Sequence, residues 1–112
     1  MVVKRPTEHR ELRREFTALK RKLTKIGFVL TGSVIAMYKR CGKTHCACHH
    51  DERARHGPYF VWTRKVRAKT VTRTLTPHQA ELCKQCIANM REAEQILERM
   101  KELSVIYIES KK

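Results

Sequence analysis

The sequence predicts a small α+β fold. An N-terminal helix precedes a small antiparallel sheet, made of one strand and a β-hairpin around a Cys/His loop. A long C-terminal helix packs on or near the first helix. Three observations predict this. Apolar residues recur at helical spacing near both ends of the 112-residue chain, β-branched and aromatic residues alternate in its middle, and a thiol–imidazole cluster interrupts that middle. The length suits a single domain, 1–112, with a modest core.

Residues 8–26 read as the first helix, because Leu12, Phe16, Leu19, Leu23 and Ile26 form a heptad seam. Thr7 can cap its start, and Gly27 sits where a C′ residue would close it. Its other faces carry Arg10, Arg13, Arg14, Lys20, Arg21 and Lys22, either to lie on a phosphate backbone or as a solvated surface with a partner helix behind. The β-branched and aromatic run ending in Met37-Tyr38-Lys39-Arg40 predicts a strand over 34–40, with a short helix across 32–38 as the competing assignment. Residues 41–57 lack any period and read as a loop without an element of its own, a length uncommon unless something orders it.

Residues 59–75 read as a β-hairpin. Phe60, Trp62, Arg64 and Val66 share one face with Val71, Arg73 and Leu75; Tyr59, Val61, Thr63, Lys65 and Arg67 share the other with Thr70, Thr72 and Thr74. A two-residue turn at Ala68-Lys69 gives this pattern and sets Arg64 opposite Arg73. Like charges across a ladder are unfavourable, so an acidic residue or a phosphate is expected between them. Thr76-Pro77-His78-Gln79 then opens a helix over 77–103, with Thr as N-cap, Pro at N1 and Gln completing a capping box. Its apolar stripe reads Leu82, Cys86, Met90, Ala93, Leu97, Met100 and Leu103, and Val105 to Ile108 either prolong it or form a short strand. Packing the two helices together hides both seams; homodimerisation through one of them is the alternative.

The loop carries Cys41, Cys46, Cys48 and His56 in the pattern C-x4-C-x-C-x7-H. Thiolates and an imidazole at such spacing suit one tetrahedral, structural zinc. His56 is preferred as fourth ligand because Gly57-Pro58 fixes the chain beyond it. His45, His49 and His50 compete, as do Cys83 and Cys86, whose C-x2-C spacing would tie loop to helix. No secretory signal and no membrane-length apolar run is visible, so a reducing cytoplasm and ligating or free thiols are expected.

The formal net charge is +14, from 25 Lys and Arg against 11 Asp and Glu. Residues 1–25 hold nine basic and three acidic side chains, residues 37–75 ten and two, and residues 76–112 six of each. A polyanionic partner accounts for that imbalance through phosphate contacts and counterion release. Lys39, Arg40, Lys43, Arg64, Lys65, Arg67, Lys69 and Arg73 belong to the sheet and its loop and are the candidate contacts with double-stranded DNA. Tyr59 and Trp62 offer stacking to unpaired bases, which makes RNA or a single strand the alternative ligand; Trp62 shares a face with Phe60, Val66 and Leu75 and reads as core. The zincin H-E-x-x-H and the deaminase H-x-E with P-C-x-x-C are both absent, so no enzyme is expected. The remaining class is a helical protein–protein adaptor with incidental charge.

Ile26 to Leu30, Cys41-Gly42-Lys43, Cys46-x-Cys48, His56-Gly57-Pro58-Tyr59, Trp62 to Lys65 and Leu75-Thr76 together resemble a family of small, basic, uncharacterised bacterial proteins associated with mobile elements. The resemblance implies recombinase or transposase neighbours, and hence an accessory or regulatory factor at the nucleoid. Arg67-Ala68-Lys69 departs from the family's more usual Asn-Gly-Lys, and Cys83-x-x-Cys86 is no part of its pattern. A weaker likeness, at fold level, is to the arm-binding domains of tyrosine recombinases, which place a three-stranded sheet in the major groove.

Overall fold

The computed structural model describes residues 8–39, 42–54 and 56–111. Helix α1 (His9–Thr24) leads to β1 (Ser33–Lys39), then to two 3-10 turns (Ala47–His49 and Glu52–Ala54). Strands β2 (His56–Val66) and β3 (Lys69–Leu75) follow, and α2 (Pro77–Glu109) ends the chain. The sheet is antiparallel in the order β1-β2-β3. Two compact units result, one from Met1–Val29 with Asn89–Lys112 and one from Leu30–Ala88, and α2 contributes to both. No helix among the described residues is long and apolar enough to cross a membrane.

In the first unit the seam of α1 is as expected: Leu12 is buried, and Phe16, Leu19, Leu23 and Ile26 are half-buried. Glu15 on α1 receives Arg99 of α2 through two bonds, Nε to Oε1 at 2.7 Å and Nη2 to Oε2 at 3.1 Å. Arg99 also donates to Glu102 at 2.7 Å, and these carboxylates hold its guanidinium above its ordinary range. The helix ends before Gly27. Lys25 and Ile26 donate to the Lys22 and Leu23 carbonyls, and Thr24 Oγ1 donates to Arg21 O at 2.7 Å. This i→i−3 closure needs no left-handed glycine. Gly27 serves a close approach instead, since a Cβ there would stand 3.4 Å from Asn89 Nδ2, which donates to Phe28 O at 2.9 Å. Thr7 lies outside the described residues; Glu8 is the N-cap and makes no side-chain cap bond.

In the second unit one sheet face packs on the start of α2. Trp62, Cys83 and Ile87 are its buried centre, with Leu30, Val34 and Leu75 packed against them. The indole N–H of Trp62 donates to Thr31 O at 2.9 Å, so its polar edge is satisfied inside. The capping box forms as the sequence predicts: Thr76 N–H donates to Gln79 Oε1 at 2.9 Å, and Gln79 N–H to Thr76 Oγ1 at 3.1 Å.

Three expectations are corrected. The hairpin turn is Arg67-Ala68, not Ala68-Lys69, and both residues have positive φ (51° and 67°). That is the geometry of a type I′ turn, whose twist matches the flanking strands. Pairing therefore moves by two residues, an even number, so the face assignments survive. Arg64 now faces Val71, and Arg73 faces Trp62, so the two arginines do not oppose each other. The last helix continues past 103 to Glu109, with Val105 to Ile108 inside it. Its buried positions are Ala80, Cys83 and Ile87, then Ala93, Ile96 and Leu103, whereas Leu82 and Leu97 of the expected stripe are exposed.

Candidate metal centre

The loop between β1 and β2 is folded locally rather than being without structure. Cys46 N–H donates to Lys43 O, His49 N–H to Cys46 O, and His50 N–H to Ala47 O, each at 3.0–3.1 Å. Asp51 then closes the second turn, its Oδ1 accepting from Arg53 N–H at 2.9 Å and its carbonyl from Ala54 N–H at 3.0 Å. These tight turns put Cys46 at the entrance of the first 3-10 segment and Cys48 inside it, two positions on.

The third donor arrives from the sheet. Between the pairs Met37↔Tyr59 and Lys39↔His56, strand β2 carries one residue more than β1. That β-bulge is built by Gly57-Pro58. Pro58 has no N–H for the ladder, and Gly57 adopts φ 142°, where a Cβ would come within 2.7 Å of Met37 O. A bulge re-aims the side chains beside it, which is why His56, the first residue of β2, turns toward the cysteines.

One donor atom each from Cys46, Cys48 and His56 all lie within 4.8 Å of one another, and Cys46 Sγ is 3.2 Å from His56 Nε2. Tetrahedral zinc with ordinary bond lengths has S···S and S···N edges of about 3.8 and 3.5 Å, so small side-chain adjustments would close this trio on one ion. Cys48 is fully buried, Cys46 half-buried and His56 exposed. Such a gradient suits an ion at the protein surface held from beneath. Cys41 lies outside the described residues. Among the described residues none of His45, His49, His50, Cys83 or Cys86 joins the trio.

Cys83 has a different task. It belongs to the Trp62–Ile87 core, where burial and then the neighbouring Cys86 push its thiol above the ordinary range, against a smaller opposing pull from Arg64. A raised thiol is a poor metal ligand and a good small hydrophobe.

The basic residues divide by strand parity. Arg64 lies over the Trp62 ring at 3.8 Å, with its Nη1 buried and without a hydrogen-bond partner, on the face that packs against α2. Lys65 is exposed on the other face with Thr70, Thr72 and Thr74, while Arg67 and Lys69 are exposed at the turn. A cavity of about 290 Å³ opens among Thr31, Gly32, Thr63, Arg64, Lys65 and Thr70. Lys39 sits over the Tyr59 ring at 5.8 Å, Arg73 and Lys43 are exposed, and Arg40 lies outside the described residues. From residue 53 to residue 80 the chain has no acidic side chain at all.

The chain matches the family described as Domain of unknown function (DUF6788) over residues 8–85, more than half of its length, and belongs to that family. No curated protein and no solved structure matches it.

Proposed function

We propose that this DUF6788 chain is a zinc-stabilised protein that binds double-stranded DNA, an accessory or regulatory factor in recombination or transposition of a mobile element, acting at the nucleoid. The observation that carries the reading is the exposed β2–β3 ribbon. Lys65 with the threonine row, and Arg67 and Lys69 at the turn, present cations and hydroxyls in a stretch free of carboxylates. A two-stranded ribbon fits the major groove, where hydroxyls and basic side chains meet base edges and phosphates. Lys39, over the Tyr59 ring, and the exposed Lys43 of the loop add to the cationic charge of the sheet and its loop, whereas Arg73 stands opposite Trp62 on the other face. Arg64 is assigned to support, as a lid on Trp62, rather than to contact. The mobile-element setting comes from the likeness of the Cys-Gly-Lys and His-Gly-Pro-Tyr blocks, and the partner enzyme would be a recombinase or transposase.

The metal is read as zinc because two thiolates and an imidazole form a borderline-soft donor set. Cys46, Cys48 and His56 would hold it, and its role is structural: it fixes the turn-rich loop to the first residue of β2. The reading assigns binding and no catalysis. A single-stranded ligand is less well served, since Trp62 is in the core and unavailable for stacking.

The test is Lys65→Ala with Arg67→Ala. Affinity for duplex DNA should fall about tenfold near 100 mM salt, with the metal content and helical signal retained. Equal or tighter binding of RNA in competition would move the assignment to RNA. Weak binding with almost no salt dependence would favour a protein–protein adaptor.

A further inference from the structure

We infer that the outer arc of α1 is a second surface for the phosphate backbone of duplex DNA, in the unit that does not contain the sheet. The inference rests on the DNA-binding reading but on different residues. At 3.6 residues per turn, the side opposite the Leu12–Leu23 seam carries Arg10, Arg13, Arg14, Thr17, Lys20, Arg21, Thr24 and Lys25. That arc contains six cations, two hydroxyls and no carboxylate. The three acidic residues of this segment, Glu8, Glu11 and Glu15, all fall on one flank, and Glu15 is engaged by Arg99.

The same chain shows what a merely solvated helix face looks like. On α2 two exposed cations pair with carboxylates three residues away: Lys84 with Glu81 and Lys101 with Glu98, both at 3.4 Å. Along the arc of α1, no carboxylate among the described residues pairs with Arg10, Arg14, Arg21 or Lys25. Two of the arc's cations have a side-chain contact: Arg13 donates to His9 Nε2 at 2.9 Å, and Lys20, at the border of the seam, lies over the Phe16 ring at 6.0 Å. Like charges one turn apart oppose the helix, so the arrangement costs stability that an external anion relieves.

Shape agrees with charge. Arg10, Arg13, Arg14 and Arg21 line a shallow concavity of about 390 Å³, and between them stand only the small side chains of Thr17 and Ala18. A phosphate can approach the backbone there while guanidinium groups close around it. From Arg10 to Arg21 the helix rises about 16 Å, a length over which a duplex strand presents a charge every ~3.4 Å of axis. Arginine suits this role because its planar fork binds phosphate bidentately.

The experiment titrates a labelled duplex of about 20 base pairs with the full chain at several salt concentrations between about 50 and 300 mM. Arg10→Ala, Arg14→Ala and Arg21→Ala together should weaken binding about tenfold near 100 mM salt and lower the slope of log affinity against log salt by about 2 to 3. The matching triple Lys variant should keep most of the slope, because it keeps the charges. A triple Ala variant within twofold of wild type and with an unchanged slope, while Lys65→Ala with Arg67→Ala still loses binding, overturns this inference and leaves the sheet reading standing. A Lys variant that fails as the Ala variant does also overturns it, since the arginines would then be acting through the fold. A wild-type chain with no salt-dependent affinity for duplex DNA sinks both readings together.

Discussion

His56 owes its place in the candidate metal site to its neighbours. Four imidazoles compete around the cysteines in sequence, and spacing alone cannot choose among them. What chooses is the bulge: Gly57 alone tolerates the crowding at Met37 O, and Pro58 interrupts the ladder, so the residue just before them is turned to the loop. The opposite end of the same strand shows a residue working against its surroundings. Arg67 and Ala68 both occupy left-handed backbone positions, each of which costs an L-residue with a Cβ roughly 1 kcal/mol. Arg67→Asn with Ala68→Gly should therefore raise stability by about 1 kcal/mol in a urea melt; an unchanged or lower midpoint would refute the turn assignment. That variant removes a proposed contact as well, so its DNA affinity should fall while its midpoint rises.

Among the elements, α2 separates what local chemistry dictates from what it leaves open. Its start is encoded in four residues, and the reciprocal Thr76–Gln79 bonds follow. Thr76→Ala should cost about 1 kcal/mol, measured as a lower thermal midpoint with the helix otherwise intact. A loss below a few tenths would mean that Pro77 and the packing set the boundary without the cap. Its buried face was harder to read. Apolar residues occur on several sides, and the residues actually buried, Ala80, Cys83 and Ile87 and then Ala93, Ile96 and Leu103, do not form one continuous stripe. A fixed helical period therefore selects Leu82 and Leu97, which are exposed, and misses Cys83 and Ile96. Helix α1 has a single seam and a single buried side, and there the period identified the buried residues.

For the whole molecule, the Cys/His cluster and the charge are the two features that bear on function. The Cys/His loop has little apolar material of its own, so in the proposed reading its order rests on the short turns and on an ion that would bind only the folded arrangement. Chelation, or Cys46→Ser, should remove the metal and lower the thermal midpoint by about 10 °C, the shift expected when a tightly bound ligand is withdrawn from a domain of this size. Elemental analysis checks the first outcome and a melt the second; full metal content in Cys46→Ser would exclude that sulfur as a ligand. Cys83 should be dispensable for the metal, being a core thiol held protonated by burial. By itself the sequence determined the order of helices and strands, the capping box, the seam of α1, the face parity of the hairpin and the three clustered donors as two thiols and a preferred imidazole. Those features depend on residue type and short-range period, which a chain carries locally. Only the tertiary structure decided that Cys46, Cys48 and His56 meet within one site to the exclusion of the competing histidines, Cys83 and Cys86, that the turn is Arg67-Ala68, that Arg64 covers Trp62, and which side of α2 is buried. Each of these depends on a partner distant in sequence, so its energy appears only when the strands pair and the helix meets what it packs against.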